Sequence, residues 1–334
     1  MSSSNKASTL AEQVAVKQLL DDEYVSIFHP EKMGNSLDIA FGGCTIATGV
    51  SAAYQSVGPQ YHAYSISGNY LGPATHDRPI YAKVTKLRDT RTFATRFVEM
   101  SQKKDDGTRR KCAVMIADFQ IQERASLLEY TTPPTRKYTS VNGPAVETAP
   151  TRDEMNAILV KEGKVTPKQV KDQDIAFALM KRFFITKEVP EGIFSQNLHG
   201  FAKNATTTQD HIPFVKKTSG YWARSHETLE NEGDQIAGLI WWMDAGLSLL
   251  PLAHNHMYIE DAIACSSLDF SLRLFANKID LSQWLFKEIM TIHGGEGRTY
   301  SEARTWDTKG KMVACMTQQS ILRPNAAPKA KAAL

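Results

Sequence analysis

The strongest constraint on this chain is that it repeats itself. Each half reads as a helix, three strands, a charged turn with glycine, and a closing strand. In the first half, Phe41-Gly42-Gly43-Cys44-Thr45 opens a run of small and apolar residues through Ala53, which predicts a well-buried helix ending near Gly58-Pro59. Strands follow over residues 64–71, 80–87, 92–101 and 111–121, the last two joined by the turn Lys103-Lys104-Asp105-Asp106-Gly107. The second half adds strands over 180–187 and 217–224, then a long buried helix over 236–250 ending near Pro251. Strands over 262–274, 283–292, 298–307 and 311–322 complete it, and Asp307-Thr308-Lys309-Gly310 takes the place of the first charged turn. Two units of this kind, each an antiparallel sheet wrapped around a helix, can pair their sheets edge to edge. That buries both edges and leaves a cleft between the copies. The expected class is therefore α+β. The expected domains are an N-terminal unit over 1–125, a Pro-rich linker over 126–175 with one short helix, a C-terminal unit over 176–325 and a tail over 326–334. The linker is marked by Pro133, Pro134, Pro144, Pro150 and Pro167. Residues 1 to about 20 read as a polar lead followed by a short helix.

Composition narrows the function by exclusion. The 334 residues are 42% hydrophobic and 22% charged, which excludes a disordered or collagen-like chain. Net charge is 39 − 36 = +3, too small to predict a nucleic-acid or membrane-surface partner. The four cysteines, Cys44, Cys112, Cys265 and Cys315, are widely separated in apolar surroundings. They read as reduced buried thiols, with no zinc spacing. No apolar run reaches the roughly 18 residues of a membrane span, and the start lacks the apolar core of a secretory signal. The ending Ala332-Ala333-Leu334 matches a peroxisomal S-K-L-type signal at its small and leucine positions but lacks the basic middle residue. The location expected is cytoplasmic or peroxisomal.

One residue stands out chemically. Asp244 lies inside Trp241-Trp242-Met243-Asp244-Ala245-Gly246-Leu247, and a buried carboxylate is costly unless hydrogen-bonded. Around it the chain shows an ordered set of short pieces. The first half has Phe41-Gly42-Gly43, Tyr70-Leu71-Gly72-Pro73, a run from Leu87 to Arg96, and Ala117-Asp118-Phe119-Gln120. The second half has the helix around Asp244, then Ser267-Leu268-Asp269, Trp284-Leu285, and Gly310-Lys311-Met312-Val313-Ala314 running on to Gln318 and Arg323. In order and spacing these resemble the acyl-CoA thioesterase II family, the double-hotdog thioesterases of bacteria and peroxisomes, over about residues 19–325.

The resemblance implies a double hotdog that hydrolyses acyl-CoA to a free acid and coenzyme A, with no cofactor, metal or covalent intermediate. It implies a water held by an Asp, a Ser or Thr, and a Gln, which fall on Asp244, Ser267 and Gln318. The residue types suit the reaction: a carboxylate accepts the water's proton, and a hydroxyl and an amide fix its place. A backbone N–H at a helix N-terminus can meet the oxyanion. Two alternatives stay open within the site. The helix after Asp244 is about two residues longer than the family pattern, making Asp261 and Asp269 fallback carboxylates. Gln319 adjoins Gln318, and one residue of register slip exchanges their faces. The first half offers Gln120 at the place of Gln318, but its helix has only Thr45, Thr48 and Ser51, so one active site per chain is expected.

Other clusters carry less. His254 and His256 lack a third metal ligand, and His62 and His76 lack an evident acidic partner for hydratase chemistry. His293-Gly294-Gly295-Glu296-Gly297 reads as a flexible turn between strands. Lys103-Lys104, Arg109-Arg110-Lys111, Lys216-Lys217 and Arg273 are candidate landing points for coenzyme A phosphates. Two other functions fit the same scaffold: an acyl-CoA-binding protein without turnover, and a thioesterase or acyltransferase acting on a carrier-protein thioester. A homo-oligomer is expected from the readiness of such units to associate.

Overall fold

The computed structural model describes residues 5–35, 37–142 and 146–325. In chain order the first unit holds α1 (Leu10–Val14), β1 (Val16–Leu20), β2 (Glu23–Ser26), α2 (Gly42–Gln55), β3 (Tyr61–Tyr70), β4 (Tyr81–Asp89), β5 (Phe93–Lys103) and β6 (Arg109–Ile121). Helices α3 (Thr139–Asn142), α4 (Arg152–Lys161), α5 (Pro167–Ala176) and α6 (Ala178–Phe183) lead to β7 (Phe184–Glu188), α7 (Ile193–Asn197) and β8 (Thr218–Ser225). Then come α8 (Glu232–Asp244), α9 (Leu250–His254), β9 (Ala262–Ser267), β10 (Asp269–Leu274), β11 (Leu285–Gly295), β12 (Arg298–Asp307) and β13 (Met312–Pro324).

The strands form one sheet in the order β1-β2-β4-β5-β6-β3-β10-β13-β12-β11-β8-β7, with β9 beside β13. Read from its centre outward the order is a palindrome: β3 answers β10, β6 answers β13, β5 answers β12, β4 answers β11, β2 answers β8. The repeat seen in sequence is thus a repeat of topology. The two units meet along antiparallel β3 and β10, in register from Ser65 opposite Arg273 to Asn69 opposite Asp269. Each edge is satisfied by the other copy.

Both long helices lie inside the curve of this sheet, against each other. Helix α2 carries no charged side chain, and every residue from Gly43 to Ala53 is buried. Helix α8 starts with the Asn231 side chain accepting from Asp234 N, and Glu232 and Asp234 in its first turn favour the positive end of the helix dipole. Its remainder is buried among aromatics. Trp241 stands edge-on to Phe41 at 5.1 Å and stacks on Phe184 at 5.8 Å. The helices touch where α2 begins: a Cβ on Gly43 would lie 3.0 Å from the Trp241 carbonyl.

Several elements differ from the sequence reading. β1 and β2 precede α2, where only a polar lead and short helix were expected. β1 is exposed over four of its five residues, so no alternation marks it. The strand expected from 180 begins at Phe184, because α6 occupies 178–183. The helix expected over 236–250 stops at Asp244. Ala245 is extended, Gly246 takes φ +96°, and Pro251 belongs to the separate α9. The strand expected over 262–274 breaks at Leu268 into β9 and β10. The Pro-rich segment holds α3, α4 and α5 rather than one short helix. α4 and α5 have capping boxes, Thr151 with Glu154 and Thr166 with Gln169, but polar interiors that hide their period. The tail over 326–334, with Ala332-Ala333-Leu334, lies outside the described residues, as does Pro144. Among the described residues no helix is long and apolar enough to cross a membrane.

A Cβ on Gly43 would also lie 2.3 Å from the Phe41 ring, so Gly43→Val must displace that ring and press on the Trp241 carbonyl of α8. Stability should fall by about 1–3 kcal/mol, read as a lower urea midpoint with an unchanged slope.

Candidate active site

Asp244 is the last residue of α8 and is 5% exposed. The end of the helix matters twice. It places the carboxylate at the negative end of the helix dipole, where negative charge is disfavoured. It also aims the side chain at the start of α2, whose Phe41 N-cap offers no side-chain acceptor. The Gly43 backbone amide there favours the ionised form of Asp244. Two further donors converge. Gln318 Nε2 on β13 donates to Asp244 Oδ1 at 2.6 Å, and the Tyr70 hydroxyl at the end of β3 donates to the same oxygen at 3.2 Å. Burial dominates and pushes the Asp244 carboxyl up to about 6. The Gln318, Tyr70 and Gly43 donors and the Lys287 charge oppose it.

Gln318 arrives by register. Along β13, Met316, Gln318 and Ser320 face the core and are buried, while Gln319 lies on the other face and its backbone N–H donates to Asp269. Ser301 on β12 stands opposite Gln318, and Thr299 opposite Ser320. Opposed residues share a face, so these side chains form one polar strip inside an apolar interior. Three of its atoms, Gln318 Oε1, Ser301 Oγ and Thr299 Oγ1, are buried without a hydrogen-bond partner among the described residues. A native interior rarely leaves such atoms unpaired; they mark a place for water or a polar substrate group.

Ser267 ends β9, opposite Ser320. It therefore sits on the face of Gln318, one diagonal step away, about 7–8 Å between Cα atoms. It has no hydrogen bond to Asp244 or Gln318 among the described residues. Its presence on this face depends on a bulge. From Ser267 to Ser271 the chain advances four residues while its partners run from Ser320 to Thr317, three. The exposed Ser266 faces away. The bulge also lets the Leu268 carbonyl accept from Tyr70 N at 2.9 Å, and brings Phe270 within 5.7 Å of the Tyr70 ring.

The structure thus joins Asp244 to Gln318 and puts Ser267 on the same face at a distance. The fallback carboxylates lie elsewhere: Asp261 is paired with Lys203 at 2.6 Å, and Asp269 accepts from Gln319 N at 2.9 Å. Gln120 is not the counterpart of Gln318. It follows the buried Phe119, faces away from the core and donates to Glu123. Two residues of the site went unread as site residues. Tyr70 reaches it from the other unit, through an edge pairing invisible along the chain. Lys287 on β11 is fully buried, and its Nζ donates to Trp242 O at 2.7 Å and Ala245 O at 3.1 Å, the carbonyls flanking Asp244. A lysine inside the apolar run of β11 was the available signal.

Other chemistry recedes. Burial pushes the Cys44 thiol up to about 12 and Cys265 to about 11, far from thiolates at neutral pH. Burial takes His254 down to about 3, and His256 pairs with Asp210 at 2.8 Å. Among the described residues no cluster of ligands could hold a metal. His62 and His76 do have acidic partners, against expectation. His62 Nδ1 lies 2.6 Å from Glu232, which also accepts from Tyr54, so this trio ties β3 to the start of α8, away from Asp244. His76 lies 3.4 Å from Asp38. Lys217 is buried on the His254 carbonyl at 3.0 Å. Lys103, Lys104 and Arg110, by contrast, line an open crevice of about 280 Å³ with Arg78.

Two sheet-wrapped helices joined through a single central ladder make this molecule a double hotdog, with a cluster of buried polar side chains where the end of one helix meets the start of the other. Sequence models of the acyl-CoA thioesterase N-terminal and C-terminal domains match residues 29–120 and 186–322. An acyl-CoA thioesterase 2 from Haemophilus influenzae is 24% identical over 298 residues, covering 89% of this chain and 92% of that protein. An acyl-CoA thioesterase II from Mycobacterium marinum superposes with a TM-score of 0.65 at 18% identity, covering 95% of this chain and 99% of that one. A hot dog-fold protein of unknown function from Alicyclobacillus acidocaldarius gives 0.66 at 14% identity, covering 95% and 98%. The chain belongs to the acyl-CoA thioesterase family and is a thioester hydrolase.

The buried carboxylate should cost stability. Its native pKa, about 6, lies above the unfolded value near 4, so the native state binds the proton more tightly. Stability contributed by the protonated form is present below the unfolded value and is lost as pH rises toward 6. Asp244→Asn should therefore stabilise the protein by up to about 3 kcal/mol at pH 8 and by little at pH 4, read from denaturant curves at the two pH values.

Proposed function

We propose that Asp244 is the general base that activates water against an acyl-CoA thioester, with Gln318 and Ser267 placing that water. The observation that carries this is the short Gln318–Asp244 hydrogen bond beside the unpaired, buried Gln318 Oε1. With Nε2 committed to the carboxylate, Oε1 is left to accept. A water can then donate one proton to Asp244 and the other to Gln318, turning an oxygen lone pair outward.

The reaction balances with these groups alone. Water oxygen bonds to the thioester carbonyl carbon as Asp244 takes the proton. The oxyanion forms near the first turn of α2, where backbone N–H groups and the dipole favour negative charge. Its collapse breaks the C–S bond, and the thiolate of coenzyme A recovers the proton from Asp244. A carboxyl near 6 suits both transfers, since it is mostly ionised at neutral pH yet a better acid catalyst than water. Tyr70 holds Oδ1 through its hydroxyl, leaving the second carboxylate oxygen for the water. Ser267, across the strip from Ser320, is suited to bond the incoming carbonyl or the far side of the water. The apolar walls around the site, Trp241, Trp242, Met243 and Phe270, are buried core residues that exclude solvent from the reacting centre.

Release of free thiol from acyl-CoAs of short to long chain tests this. Asp244→Ala should remain folded and lose about 10²–10⁴-fold in kcat. Wild-type kcat/KM should rise with pH through a limb near 6. Unimpaired turnover in Asp244→Ala, or a rate flat from pH 5 upward, rules Asp244 out as the base.

A further inference from the structure

Lys287 is the least expected charge in the molecule. It lies in β11 between Tyr221 of β8 and Thr305 of β12, in a stretch buried from Leu285 to Thr291. A fully buried ammonium is expensive unless its donors are met. Here they are met by the end of α8, through Trp242 O and Ala245 O, and the Tyr221 and Trp242 rings each stand 4.9 Å from Nζ. A cation at a helix C-terminus is favourable, but an exposed lysine would serve that purpose at less cost. What distinguishes this one is its address, on the two carbonyls that bracket Asp244.

We propose that Lys287 is a positioning residue for Asp244: it clamps the backbone on both sides of that carboxylate and supplies a positive charge that favours its ionised form on the acid side of neutrality. The inference rests on the reading of Asp244 as the base. The two side chains form no ion pair among the described residues, and that separation has chemical value. A direct salt bridge would hold the carboxylate too weakly basic to take a proton from water. A charge lodged on the neighbouring carbonyls tempers the burial penalty and leaves the carboxylate oxygens to Gln318, Tyr70, Gly43 and water. The influence runs both ways: burial draws the Lys287 ammonium down to about 7, and the Asp244 charge pushes it back up. The titratable groups around the pair are few. Asp244 faces Cys44 of α2, Tyr70 of β3 and Lys287 of β11. Lys287 faces Tyr221 of β8, and beyond it lie His199 and the Arg152–Glu188 pair.

The test is kcat/KM against pH for wild type, Lys287→Met and Lys287→Gln, with Asp244→Ala as control. Met keeps the bulk of the side chain without charge; Gln also keeps a donor for the carbonyls. Both variants should move the acid limb up by about one pH unit, a roughly tenfold loss of kcat/KM on the acid side that closes above the limb. A uniform loss with the limb unmoved reduces Lys287 to a helix cap and overturns the proposal. If neither variant folds, the lysine ε-carbons of the wild-type protein and of Asp244→Asn decide by NMR. One lysine titrating well below the rest, and lower still in Asp244→Asn, supports the coupling; ordinary titration of every lysine overturns it. Turnover that survives in Asp244→Ala overturns the base reading itself, whereas turnover lost there with the Lys287 limb unmoved overturns only the role of Lys287.

Discussion

Everything at the site depends on the ladder between β3 and β10. Those strands are the inner edges of the two units, and each is paired along its open side with the other. Pairing them satisfies two rows of backbone groups and makes one sheet from two. It also carries Tyr70, from the first unit, to a carboxylate at the end of a helix in the second. The central helices pack as a consequence, with Gly43 allowing the start of α2 to approach the Trp241 carbonyl and meet Asp244. Neither unit alone holds the donor set.

The second organising constraint is electrostatic. A carboxylate at a helix C-terminus, in a dry interior, is among the less favourable placements a protein can make. The fold answers with neutral donors in contact, Gln318, Tyr70 and Gly43, and with a cation held at one remove on the helix end. This compensation is partial, and a partly compensated carboxylate is basic enough to take a proton. The unpaired Gln318 Oε1, Ser301 Oγ and Thr299 Oγ1 belong to the same economy of incomplete satisfaction. Polar atoms left open in an interior are tolerated where they are to meet a ligand.

The two copies have diverged in what they contribute. The first unit supplies a helix of small residues with no charge, whose Thr48 and Ser51 bond backbone carbonyls. It lends the site its helix start and a tyrosine. The second unit supplies the carboxylate, the amide, the serine and the lysine. At the far crossing of the helices, His62, Tyr54 and Glu232 bind one another instead. A palindromic scaffold therefore carries two chemically different poles, because the buried acid was placed at the end of only one helix.

Much of this was legible along the chain. The repeat was readable because hydrophobic period and charged turns are local properties, and β12, Arg298–Asp307, stands where the pattern put it. Asp244 stood out because an acid among Trp241, Trp242 and Met243 contradicts its surroundings, and Gln318 and Ser267 were suggested by residue order that resembles the family. Helices α4 and α5 were not, since their interiors are polar and only their caps speak. The end of α8 was not, because Ala245 and Gly246 break a helix whose apolar character runs on to Leu250. The sequence by itself determined a two-unit α+β protein with an acid inside an apolar helix. The tertiary structure alone decided what lies around that acid: that Gln318 and not Gln319 bonds it, that a bulge turns Ser267 to the face of Gln318, that the Tyr70 hydroxyl donates to it, and that Lys287 holds the carbonyls on either side. Face, register and edge pairing are set by contacts between residues distant in the chain, and no local pattern encodes which distant edge a strand will meet.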